Sequence, residues 1–74
     1  MARHQPRPQS ISAVIAEDHG LVWLFRPNNS ETQQIMSENF RHSWHNAGMA
    51  VDVKDVGRVF RTLRDLGIRV KGIS

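Results

Sequence analysis

Apolar residues in this chain come in short clusters, and their spacing changes from one segment to the next, with glycine or proline at most of the changes. Ile11-Ser-Ala-Val-Ile-Ala16 is a run of small and β-branched residues broken by Glu17-Asp-His-Gly20. Leu21-Val-Trp-Leu-Phe25 follows at once, and Arg26-Pro27 ends it, since proline has no N–H for a ladder. Two such runs around a short Asp-His-Gly connection predict a β-hairpin, with Gly20 free to take a positive φ.

The spacing then lengthens. Ser30 with Gln33 three residues on reads as a capping box opening a helix. Met36, Phe40, Trp44 and Ala47 recur at helical spacing, and Gly48 is placed to close the helix in the left-handed conformation. The expected helix covers about residues 30–47. Met49-Ala-Val51 reads as a third strand, and Asp52 is suited to cap a second helix. In that helix Val56, Val59, Phe60, Leu63 and Leu66 fall on one side at about 100° per residue. Leu66-Gly67-Ile68 is a glycine stop followed by a hydrophobe, and Ile68-Arg-Val70 starts a last strand.

The pattern predicts an α+β fold of order ββαβαβ, a four-stranded mixed sheet with two helices packed on one face. Residues 1–10 are read as a disordered basic arm and residues 11–74 as a single compact domain. The second strand carries apolar groups on both sides. Leu21, Trp23 and Phe25 point one way, and Val22, Leu24 and Arg26 the other. With helices on one face only, one of these sets is left at a surface, which marks Val22, Trp23, Leu24 and Phe25 as interface residues.

Composition narrows the chemistry. At 74 residues the chain buries only about 60% of its unfolded surface, so domains of this size often lean on a disulfide, a metal or a partner. There is no cysteine, which excludes disulfides, thiolate zinc sites and thiol nucleophiles. The first ten residues are charged but lack an apolar core, and no window approaches the roughly 18 apolar residues of a membrane span. A cytoplasmic protein without a membrane partner is therefore expected.

The net charge of +3 is unevenly spread. Residues 1–10, with Arg3 and Arg7, carry +2, residues 11–53 carry −3, and residues 54–74 carry +4. Lys54, Arg58 and Arg61 lie opposite the apolar side of the second helix, with Arg64 at its flank. That spacing could follow a phosphate backbone, or could simply be a solvated face with an Arg61–Asp65 surface pair.

Other constellations are weaker. Glu38, His42 and His45 line up at i, i+4 and i+7 on the polar side of the first helix, but no second segment brings a fourth ligand, so a solvated face is the better reading and no metal is assigned. His19 beside Asp18 lies in a turn with no nucleophile near in sequence. No phosphate-cradling glycine loop exists, and no cofactor, catalytic residue or small-molecule substrate is assigned. Trp23 and Phe25 could form a base-stacking platform, although packing is the better reading.

The run Gly20-Leu-Val-Trp-Leu-Phe-Arg-Pro27, the helix after it, Ala50-Val-Asp52, the second helix and Leu66-Gly-Ile68 resemble small bacterial proteins often encoded near prophage or plasmid genes. The resemblance covers about residues 20–70 and implies an accessory or regulatory factor of a phage or mobile element. The sequence-level expectation is a non-enzymatic protein-interaction module, a homodimer or partner of another protein. The alternative is a nucleic-acid-binding protein using Lys54, Arg58, Arg61 and Arg64 with the N-terminal arm.

Overall fold

The structure, a computed structural model, describes residues 12–73, and the expected arm over residues 1–10 lies outside them. The fold is α+β, with two helices and a five-stranded mixed sheet. The strands are β1 (Ala13–Asp18), β2 (Val22–Pro27), β3 (Ser43–His45), β4 (Gly48–Asp52) and β5 (Arg69–Ile73). The helices are α1 (Ser30–Asn39) and α2 (Val56–Asp65), the second preceded by a 3₁₀ turn over Val53–Asp55. The expected four strands and ββαβαβ order are thus corrected to five strands in the order ββαββαβ.

The extra strand comes from the segment expected to finish the first helix. Helix α1 stops at Asn39, because Phe40 is extended (φ −127°, ψ 150°) and its N–H is the last to reach back, to Met36 O. Asn39, Phe40, His42, Ser43, Trp44 and His45 are all mediocre helix formers. Ser43-Trp44-His45 alternates polar, aromatic and polar, as a half-buried strand does. Asn46 and Ala47 then turn the chain with φ of 49° and 64°, the two positive values of a hairpin turn that suits twisted strands. Gly48 is a strand residue, and its φ is not positive.

Across the sheet the order is β3-β4-β2-β1-β5. Strands β1, β2, β4 and β3 pair antiparallel in turn, while β5 runs parallel to β1. Helix α2 therefore carries the chain from β4 across β2 and β1 to the opposite edge.

Pairing fixes the two faces. Residues directly opposite share a face, which groups Val14, Ala16, Trp23, Phe25, Met49, Val51, Trp44 and Val70 on one side. Most of them are in or against one buried cluster with Met36 of α1 and Val56, Val59 and Leu63 of α2. Both helices consequently cover this face.

The helix ends show local chemistry. Asn29, rather than Ser30, is the N-cap of α1, with its side-chain oxygen accepting from Thr32 N–H at 2.8 Å. Asp52 accepts from Lys54 N–H at 3.0 Å and caps the 3₁₀ turn. At the far end of α2, Gly67 takes φ 78° while Ile68 N–H donates to Leu63 O and Gly67 N–H to Arg64 O, the expected glycine stop.

Candidate functional site

The side of the sheet away from the helices is uncovered by any element among the described residues. By register it carries Ile15, Glu17, Val22, Leu24, Arg26, Ala50, Asp52, Ser43, His45 and Arg69. Of the four strand residues expected at an interface, only Val22 and Leu24 lie here. Val22 is 42% exposed and Leu24 half-buried.

Trp23 and Phe25 are turned inward. Their rings stack at 6.4 Å, and Phe60 of α2 meets them edge-on at 6.0 and 5.5 Å. Such pairs add about 0.5–1.5 kcal/mol each to what burial supplies. Phe25 is fully buried, so these aromatics serve the core beneath α2 and are closed to bases on an open sheet.

The exposed large hydrophobics of the described residues are Ile15 (45%), Leu21 (79%), Val22 and Val53 (42%). Ile15 flanks Leu24 diagonally across the β1–β2 ladder, and Val22 is two residues along from Leu24. Leu21 and Val53 adjoin at the end of β2, where Val53 N–H donates to Leu21 O at 2.9 Å. Ile15, Val22 and Leu24 thus form an apolar strip on the open face, whereas Leu21 and Val53 follow the alternation of Trp23 and Val51 and lie at the sheet's end on the other side.

A charge pair crosses the same face. Arg26 Nε donates to Glu17 Oε2 at 2.8 Å, and Arg26 Nη1 donates to Asn46 O at 2.6 Å. The arginine stem runs over Gly48, where an added Cβ would lie only 3.3 Å from Arg26 Cγ. Glycine at position 48 thus lets the stem lie down on the sheet. His19 Nε2 lies 3.2 Å from the other Glu17 oxygen, whereas the Asp18 carboxylate accepts Gly20 N–H at 2.8 Å in the turn. The hydrogen bond from Arg26, then that with His19, holds the Glu17 carboxyl below its usual value of 4.5. Ile15 and Glu17 were missed in the sequence because Glu17 reads as part of the turn, whereas Arg26 was placed on the side of Val22 and Leu24. The alternation Ile15, Glu17 was the signal that could have found them.

On the other side of the molecule, Lys54, Arg58, Arg61 and Arg64 are all exposed. Lys54 belongs to the 3₁₀ turn and the arginines to α2. Among the described residues no ion pair joins any of them to a carboxylate, so the Arg61–Asp65 pair does not form. Glu38, His42 and His45 do not share a helix face, since Glu38 is on α1, His42 in the following loop and His45 on β3. No group of three or more possible metal ligands comes together among the described residues.

Among the described residues, no helix is long and apolar enough to cross a membrane. The chain matches no protein-family model, no curated protein and no solved structure.

Proposed function

We propose that this chain is a non-enzymatic interaction module that pairs with a second copy of itself through the uncovered sheet face. The observation that carries the reading is the strip formed by Ile15, Val22 and Leu24 on the uncovered face. Exposed apolar groups gathered on one side favour burial against a partner. Charge points to a like partner. The face holds Glu17 and Asp52 against Arg26 and Arg69, so two copies related by a two-fold axis meet with balanced signs. The α2 surface, with Lys54 and three arginines against Asp55 and Asp65, would repel its own copy.

The sheet edges are poor alternatives. Edge strand β3 has three residues, and edge strand β5 carries exposed Arg69 and Lys71, both familiar guards against strand addition. A role as an accessory factor of a mobile element goes with this proposal and rests on the sequence resemblance.

Leu24→Glu tests the reading, because it places an unpaired charge in the centre of the strip without touching the core. The solution mass by light scattering is expected to fall from dimer to monomer, while Arg61→Glu on α2 leaves the dimer in place. A monomeric parent, or a Leu24→Glu variant that stays dimeric, contradicts it.

A second reading, nucleic-acid binding, is favoured by the absence of carboxylate partners for Lys54, Arg58, Arg61 and Arg64 among the described residues. It requires affinity for a mixed oligonucleotide that falls steeply with salt as counterions are released. Binding that ignores salt removes it.

A further inference from the structure

We infer that the cleft between the end of α1 and the first turns of α2 is a binding site for a phosphoryl group, held by Arg41 and Arg58. The inference neither needs nor supports the sheet-face dimer, since the cleft is on the helix-covered side. Its lining is Asn39, Phe40, Arg41, His42, Asp55, Arg58, Val59 and Thr62, and its volume is about 230 Å³. That is below the roughly 300–1,000 Å³ of pockets for drug-sized ligands, so it suits a single phosphate-sized group better than a whole cofactor.

Two elements build it. Phe40 leaves the helix in an extended conformation, which carries Arg41 and His42 towards α2 instead of onward along α1. On α2, Arg58 and Thr62 are four residues apart and so share one side of the helix. The apolar members of the lining are Val59, which is buried, and Phe40, which is half-buried, and the Phe40 and His42 rings lie 6.2 Å apart.

The donors are uncommitted. No ion pair among the described residues engages Arg41, Arg58 or Asp55, although Asp55 and Arg58 are three apart across the start of α2. The two guanidinium groups come from separate elements, and each presents a fork of N–H donors that matches phosphate oxygens. The Thr62 hydroxyl and the His42 ring add donors beside them. Asp55 is the single carboxylate of the lining, and it weakens anion binding without cancelling two arginines.

The experiment is an NMR titration of the full chain, first with inorganic phosphate and pyrophosphate, then with a short oligonucleotide. Shifts confined to the amides of residues 39–42 and 55–62 and to the side chains of Arg41 and Arg58 are expected. Arg58→Ala and Arg41→Ala should each weaken binding by about tenfold, the loss of one charge-assisted hydrogen bond. Asp55→Asn should tighten it. Arg61→Ala, which removes the same charge from the outer face of α2, should leave phosphate binding nearly unchanged.

Localised shifts with the small phosphates assign the site to a free phosphate. The same shifts with the oligonucleotide alone assign it to a strand backbone. No shifts with any probe, shifts spread over all basic side chains, or equal losses from Arg61→Ala and Arg58→Ala overturn the proposal. An unchanged amide spectrum outside the cleft certifies that each variant is folded.

Discussion

Arg26 touches three elements at once, lying across β4 at Gly48, reaching Glu17 on β1 and closing on the Asn46 carbonyl in the β3–β4 turn. Because the folded pKa of Glu17 is lowered, its ionised form contributes stability that is complete above the usual value of 4.5 and is lost as pH falls through the lowered one. Glu17→Gln is therefore expected to flatten the acid limb of the stability profile, read as the urea midpoint from about pH 6 to about pH 2. Equal slopes in parent and variant would show that the pair contributes nothing. The turn it holds contains a second local feature, Ala47 at φ 64°. A non-glycine residue there costs roughly 1–2 kcal/mol, against the roughly 0.5–1 kcal/mol of entropy that glycine loses on folding. The strain term is the larger, so Ala47→Gly is expected to raise stability by about 0.5–1 kcal/mol in denaturant unfolding. A loss of stability would mean the turn is not of this type.

Elements in so small a fold are tied by a few polar groups as well as by packing. Asn28 joins the start of β1 to α1, its side-chain oxygen accepting from Ala13 N–H at 3.1 Å and from the fully buried Thr32 hydroxyl at 3.0 Å. Asn28→Ala leaves those donors without that acceptor and is expected to cost about 1–3 kcal/mol, measured by chemical denaturation. A change of a few tenths would place the tie elsewhere. Which elements could be read from the sequence follows from the same local physics. Helix α2 was legible because Val56, Val59 and Leu63 keep one period and Gly67 has one conformational use. The β1–β2 hairpin was legible because its two runs are β-rich and Gly20 separates them. The end of α1 was not. Met36, Phe40 and Trp44 are four apart, which fits a helix, yet Trp44 faces the core from β3 opposite Met49. Ladder pairing with β4, unseen by any local period, outweighs a weak helical preference there. The sheet's open face was legible through Val22, Leu24 and Arg26 but not through Glu17, whose pairing with Arg26 depends on the β1–β2 register.

As a whole, the molecule has one core and two unlike surfaces. Two helices close one face of the sheet, and the other keeps a strip of aliphatic side chains beside the Arg26–Glu17 ion pair. Burying that strip is what a small, cysteine-free chain can gain from a partner. With strands about 4.8 Å apart and residues rising about 3.3 Å, five strands averaging five residues present on the order of 400 Å². A standard interface covers about 800 Å² per partner, so the dimer must recruit surface beyond this face and is expected to exchange rather than be permanent. The most direct test of self-association through this face is sedimentation of the unmodified chain over a range of concentrations, at low and high salt. A monomer–dimer equilibrium that moves with concentration and holds at high salt is expected, since apolar burial is not screened as charge is. A chain that remains monomeric throughout, or that associates at low salt alone, would contradict the account.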